Sequence, residues 1–307
     1  MPTPAAAPRG PAGPGGLGVL LTGGTSDPAG WADAPAHFAR LEAAGCSAIW
    51  LADHLFWGRP MPEALVMAGV AAAATERCRI GTGVLQVPLR SAPSVAKAAA
   101  TVQILARGRF VLGVGSGEHA TEYERAGASF AGRGRALDVA IDDLRRLWSE
   151  GDEAGRFAQR PAPGPIPVWV GGRTPAALER TARRGDGWLP MFLSPERFAE
   201  ADAELDRRLA AAGRDPGEVD RVPVAAVAVT RRGWSRQDAL DWAGRLWSLD
   251  PRRLEPHVIT GTVAECAIRL GEYRARGAGA VTVLPATDRP IDLLEELNPA
   301  YRAETGE

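Results

Sequence analysis

Phe110-Val-Leu-Gly-Val-Gly-Ser-Gly-Glu118 is the stretch on which a reading of the fold turns. Phe110 to Val114, with one glycine among them, are apolar enough for a strand buried on both faces, as in a parallel sheet covered by helices. The run then breaks into Gly115, Ser116 and Gly117 and ends on a carboxylate, Glu118. Small residues there let a flat ligand approach the backbone, because no Cβ stands in the way. Two readings of Glu118 remain open at this point. It is either a reacting group just beyond a buried strand, where α/β enzymes keep their chemistry, or a solvated residue at a helix start.

Outward from this strand the same unit repeats. Short apolar strands are expected over 17–21, 48–52, 79–87, 110–114, 167–171, 187–191, 223–229 and 280–284. Helical periods fall between them, over 32–44, 60–75, 93–106, 135–148 and 175–184, then from 194, from 235, over 262–276 and from 291. Gly45, Gly108 and Gly185 read as helix stops. Thr174-Pro175 and Ser194-Pro195 read as N-caps followed by proline at the first helical position, and Thr262 with Glu265 as a capping box. Connections this long suit right-handed crossovers, so the sheet can be all parallel. The expected fold is a single α/β domain over 17–307, a (β/α)8 TIM barrel, behind a disordered Pro/Ala/Gly-rich arm over 1–16. The active site then lies at the strands' C-terminal ends. One mouth would be ringed by Thr22, Asp53-His54, Gly83 to Gln86, Gly115 to Glu118, Gly171 to Arg173, and Pro190-Met191.

Composition narrows the chemistry. The chain has 307 residues, 45% of them hydrophobic, and a net charge of −1, which argues against a nucleic-acid or anionic-membrane partner. Lys97 is the only lysine, leaving no Schiff-base or phosphate-clamping lysine elsewhere. Cys46, Cys78 and Cys266 are widely spaced and odd in number, so no disulfide framework follows and a reducing cytoplasm is expected. His37, His54, His119 and His257 form no ligand cluster, and no metal site is expected. No signal peptide or membrane span is legible.

Asp53-His54 leaves the second strand. The imidazole can exchange a proton with a reacting group while the aspartate sets its orientation; alternatively, Asp53 caps a turn and His54 is partly buried packing. Val170-Gly-Gly-Arg-Thr-Pro175 is a strand, a glycine turn and a helix start, where free N–H groups and the helix dipole suit a phosphate and Arg173 adds donors. The plainer alternative is a strand-to-helix turn with a solvated arginine. Gly113-x-Gly115-x-Gly117 lacks the spacing of a dinucleotide fingerprint, and no P-loop, G-x-S-x-G elbow or zinc-hydrolase motif is present. Trp31, Trp50, Trp148, Trp169 and Trp188 read as core rather than as a ligand cage.

These segments together resemble the luciferase-like monooxygenase superfamily, and within it the branch using the deazaflavin coenzyme F420. The resemblance is carried by Ala48-Ile-Trp-Leu-Ala-Asp-His54, Ile80-Gly-Thr-Gly-Val-Leu85, Arg109 to Glu118, Val168-Trp-Val-Gly-Gly-Arg-Thr-Pro-Ala-Ala-Leu178, Gly185-Asp-Gly-Trp-Leu-Pro190 and Gly261-Thr262. It implies a tricyclic ring in the barrel mouth, supported from behind by a non-proline cis peptide at Gly83-Val84. The coenzyme phosphate would sit on Gly171, Gly172, Arg173 and the helix start at Thr174. The pattern Ser116-Gly117-Glu118 is similar to that of F420-dependent sugar-phosphate dehydrogenases. That likeness implies proton exchange by Glu118, a substrate-orienting pair in Asp53 and His54, and a substrate-side aromatic in Trp57. This chain departs from them in the position of Trp57, one residue closer to the histidine, and in lacking their lysines. Its connection over 149–166 is also shorter, which would open the site to a larger substrate.

The expectation is therefore a cytoplasmic F420-dependent oxidoreductase. Its hydride would pass between deazaflavin C5 and a C=C, C=N or carbinol carbon of a small-molecule or peptide substrate, such as a natural-product intermediate. An FMN-dependent monooxygenase of the same fold is the alternative, and a non-catalytic flavin-binding barrel the third reading. A homodimer is a further expectation carried by the family likeness.

Overall fold

The computed structural model describes residues 16–22, 28–149, 158–231, 234–247, 250–287 and 289–307. The arm expected over 1–16 thus lies outside the described residues except for Gly16, as do residues 150–157 of the connection over 149–166. The first half of the chain runs β1 (Gly18–Leu21), α1 (Ala34–Ala43), β2 (Ala48–Leu51), α2 (Ala64–Ala74), β3 (Arg79–Thr82), β4 (Leu85–Gln86), α3 (Ala92–Leu105), β5 (Phe110–Gly115), α4 (Ala120–Arg125) and α5 (Arg133–Ser149). The second runs β6 (Val168–Gly171), α6 (Pro175–Arg184), β7 (Gly187–Leu189), α7 (Pro195–Ala211), β8 (Asp220–Arg221), β9 (Val224–Val229), α8 (Arg236–Trp247), α9 (Pro251–Leu254), β10 (Val258–Gly261), α10 (Val263–Ala275), β11 (Thr282–Pro285) and α11 (Pro290–Thr305).

All ladders are parallel. β8 and β9 are two halves of one barrel strand, parted at Val222-Pro223, where proline has no N–H to give to a ladder. β7 pairs with β8, a bridge joins Met191 to Val224, and β9 passes the ladder to β11 and thence to β1. The ring closes as an (β/α)8 barrel. The strand expected over 79–87 is interrupted: the Gly83–Val84 peptide is cis, and the chain resumes as β4, pairing beside Val114 and Gly115. β10 was not anticipated. Its Val258-Ile259-Thr260 run is β-branched throughout and pairs with the outer half of β9.

Alternation along the strands makes two apolar layers. Val19, Ile49, Ile80 and Leu112 face the helices, while Leu20, Trp50, Val111 and Trp169 fill the barrel. Trp50 and Trp169 lie 5.1 Å apart by ring centroids, and each needs a glycine opposite it. A Cβ at Gly81 would stand 2.4 Å from Trp50, and one at Gly187 2.5 Å from Trp169. Large-against-none pairing of this kind brings the interior to close packing. Trp188 is buried as expected, Trp148 donates its indole N–H to Ala96 O at 3.1 Å, and Trp31 lines a cavity described below. The helix starts also form as read: Thr174 accepts from Ala177 N, Ser194 from Arg197 N, and Thr262 with Glu265 makes the reciprocal box. Each such cap stabilises by about 1 kcal/mol. Among the described residues, no helix is long and apolar enough to cross a membrane.

Candidate active site

The loop leaving β2 brings Asp53 and His54 to the barrel mouth, but the two do not form the orienting pair expected of them. Asp53 is buried with both oxygens engaged by the Arg90 guanidinium, at 2.7 and 2.9 Å, and it accepts from Gln86 N at 2.9 Å. Burial pushes its carboxyl up, against the pull of Arg90 and the Gln86 amide. The partner of His54 is Glu122, on the short helix α4: Nδ1 lies 3.0 Å from Glu122 Oε2. Glu122 also accepts from Leu55 N at 2.6 Å, Phe56 N at 3.2 Å and Gln86 Nε2 at 3.1 Å. Its side chain is 2% exposed, and burial alone would raise its pKa. The hydrogen bonds from His54, Gln86 and Phe56 outweigh burial and hold the carboxyl below its ordinary range. Asp53 therefore fixes the start of the loop and Glu122 fixes the imidazole.

Trp57 stacks on the other side of that imidazole, ring centroids 4.0 Å apart at 18°. His119 closes a three-ring group, 5.7 Å from His54 and 5.2 Å from Trp57. Glu118 stands at the edge of this group, its Oε1 3.8 Å from His119 Nε2, with its side chain 86% exposed. The structure thus brings His54 and Trp57 together with His119, ties Asp53 to Arg90, and leaves Glu118 on the rim. The buried carboxylate is the one four residues on.

The glycine turn after β5 has a cause that the sequence reading did not include. A Cβ at Gly115 would meet Val84 Cγ2 at 2.4 Å, and one at Gly171 would meet Val84 Cγ1 at 2.8 Å. Those two glycines make room for the valine beyond the cis peptide. Gly117 sits at φ +65°, and a Cβ on it would meet Gln86 Oε1 at 2.0 Å. The turn is held from outside, Tyr123 Oη donating to Ser116 O at 2.5 Å and Arg133 Nε to Gly117 O at 3.1 Å. Gln86 Oε1 is itself buried with no hydrogen-bond partner among the described residues, an unused acceptor beside the cis Val84.

Across the mouth, Gly171, Gly172, Arg173 and Thr174 lead into α6. Gly172 takes φ +107°, and Gly172 to Thr174 are exposed at the helix start. Arg173 donates to Phe192 O, which holds it over this turn. Burial, and then the nearby Arg173 and Arg197 guanidinium groups, push the His257 imidazole below its usual range. Two arginines and a histidine thus share a neighbourhood with an open helix N-terminus, a setting that favours an anion.

Arg90 and Glu122 escaped the sequence reading, which placed Gln86 at the mouth without giving it a role. The one available signal for Glu122 was its spacing of one helical turn from Glu118, which says nothing about which carboxylate turns inward.

A family profile described as luciferase-like monooxygenase matches residues 16–280. An F420-dependent glucose-6-phosphate dehydrogenase of Amycolatopsis mediterranei is 34% identical over 168 residues, covering 49% of this chain and 50% of that protein. A 5,10-methylenetetrahydromethanopterin reductase of Archaeoglobus fulgidus is 30% identical over 200 residues, covering 62% and 58% respectively. The chain spans about half the length of the curated relatives it matches. Among solved structures, an F420-dependent secondary alcohol dehydrogenase in complex with an F420–acetone adduct superposes with a TM-score of 0.76 at 19% identity, covering 94% of this chain and 98% of that one. The barrel and the extent of the profile match lead to one assignment: the chain belongs to the luciferase-like monooxygenase family.

Proposed function

We propose that this protein is an F420-dependent oxidoreductase acting between the deazaflavin and a C=C, C=N or carbinol carbon of an organic substrate. The observation that carries this reading is the hydrogen bond between half-buried His54 and buried Glu122, at the same mouth as Val84. Relatives of about one-third identity that carry F420-dependent names support the coenzyme. The residues present fit such a group. Val84, packed into the notches at Gly115 and Gly171, offers a smooth apolar support beside the unused acceptor of Gln86. The turn over 171–174 offers exposed donors for a phosphate.

When bound, the coenzyme supplies or takes up the hydride at C5, and a proton must move with it. His54 is the group for that proton. With Nδ1–H donated to Glu122, Nε2 carries the lone pair and can accept a substrate hydroxyl proton, the carboxylate stabilising the imidazolium that results. In the reducing direction the same atom returns the proton. Glu118, exposed on the rim beside His119, exchanges protons between the site and water, and Trp57 contributes an aromatic wall to the substrate.

The test is fluorescence titration of the purified protein with F420 and, separately, with FMN. Micromolar or tighter F420 binding with weak FMN binding is expected. Preference for FMN, followed by oxygen consumption with the reduced flavin, would overturn the coenzyme assignment in favour of a monooxygenase. Full turnover retained in His54→Ala would remove the proton role.

A further inference from the structure

A second cavity lies behind the loop that carries His54, between the ends of β1 and β2 and the helices α1 and α2. It has a volume of about 190 Å3 and is lined by Leu21, Phe38, Leu51, Ala52 and Met67, with Trp31 and His37. The Trp31 indole N–H and the His37 Nε2 are both buried, and neither has a hydrogen-bond partner among the described residues. One such orphan costs about 1–3 kcal/mol, and two on the side chains of one apolar cavity form a repeated pattern that needs a cause. Burial and the neighbouring Arg40 hold the imidazole of His37 below its usual pKa, which favours the uncharged ring. Asp33, the one carboxylate in the lining among the described residues, is exposed at the rim. The walls are otherwise hydrocarbon.

We infer that this cavity is a binding site for a compact lipophilic group bearing a single oxygen, a ring or short branched chain with a hydroxyl. The size fits: apolar cavities of about 150 Å3 admit a benzene-sized ring. With the His37 proton on Nδ1, the polar chemistry fits a hydroxyl: its oxygen accepts from the indole, which can only donate, while its proton goes to His37 Nε2. An anion finds no charge partner in the walls, and a bare hydrocarbon leaves both nitrogens unpaired. The position gives occupancy a consequence. Ala52 runs directly into Asp53, while Pro62 and Ala64 bracket Glu63, whose carboxylate lies 3.5 Å from Arg90, the residue gripping Asp53. An occupant braces both ends of the catalytic loop. The inference is independent of the coenzyme's identity.

The group can belong to a free small molecule or be a pendant part of a larger substrate, and the test separates the two. Cyclohexanol is titrated into the coenzyme-free protein, following tryptophan fluorescence and melting temperature. Saturable binding is expected, at least five-fold tighter than that of cyclohexane, and about five-fold weaker in Trp31→Phe, which keeps the ring and deletes one hydrogen bond. Met67→Trp and, separately, Ala64→Leu fill the space from different walls, and either folded variant is expected to abolish saturation. His54→Ala is expected to leave it unchanged. Cyclohexanol extended opposite its hydroxyl by an ethylene glycol chain binds equally well if the site takes a pendant group, and fails if it takes a free molecule. No saturation in the parent protein, or undiminished binding in a folded cavity-filling variant, would overturn the inference.

Discussion

Nδ1 of His54 lies 3.0 Å from Glu122 Oε2 and 3.2 Å from Gln86 Nε2, and only the first contact lets the ring donate. Gln86 Nε2 already donates to Asp53 O at 3.0 Å and to Glu122 at 3.1 Å, so the proton on Nδ1 belongs to the His54–Glu122 bond. Glu122→Gln keeps the shape but removes the charge that stabilises an imidazolium. Turnover should fall about 10- to 100-fold while the coenzyme's Kd stays within about two-fold, and steady-state kinetics with a binding titration read the two separately. Glu122 also gives a signed pH effect. Its folded pKa lies below the ordinary 4.5, so below that value the unfolded chain binds more protons. Its contribution to stability is complete above pH 4.5 and fades as the pH drops toward the folded value. Urea unfolding between pH 3 and 6 should show a shallower decline in Glu122→Gln. That Glu122 rather than Asp53 holds the histidine was not legible in the sequence. Chain adjacency favoured Asp53, but the two carboxylates are sorted by what packs over them: Arg90, from the start of α3, takes the nearer one.

Among the elements, the β4–β5–β6 seam and the start of α6 form the proposed coenzyme seat. At the seam, Gly115→Ala drives a Cβ to 2.4 Å from Val84 and should destabilise by roughly 1–3 kcal/mol. Adding Val84→Ala should recover at least half of that loss, and thermal melts of the single and double variants decide it. At the helix, Thr174→Ala removes the cap bond to Ala177 N and costs about 1 kcal/mol. Thr262→Ala breaks the capping box of α10 at a similar cost. Only the first should also weaken coenzyme binding, several-fold by titration, because only α6 opens toward the proposed phosphate. Those starts were plain in the sequence because cap and proline act locally. Phe110 to Val114 was equally plain, since a strand covered on both sides needs no partner to declare it. The split of the third strand, the short α4 and β10 were hidden. β4 has two residues and β10 four, and their existence depends on neighbours contributed from elsewhere in the chain.

For the whole molecule, Asn298 ties the segment before the first strand to the last helix at the foot of the barrel. Asn298 is 3% exposed; its Oδ1 accepts from Leu17 N at 2.9 Å and its Nδ2 donates to Ala44 O at 3.0 Å. Asn298→Ala strands both buried backbone groups and should lower stability by about 2–4 kcal/mol. Coenzyme affinity should be unaffected, since the foot lies opposite the mouth; denaturation and titration of the same sample check both halves. The barrel itself was readable from the alternation of apolar runs and helical periods, a property of the entire chain rather than of any one residue. Gly16 N meets Glu307 Oε2 at 2.8 Å at this same foot. A tether attached at Glu307 is therefore expected to hold the barrel by its foot. Immobilised at that residue on a bead or electrode, the protein would turn the mouth proposed as its active site toward solution.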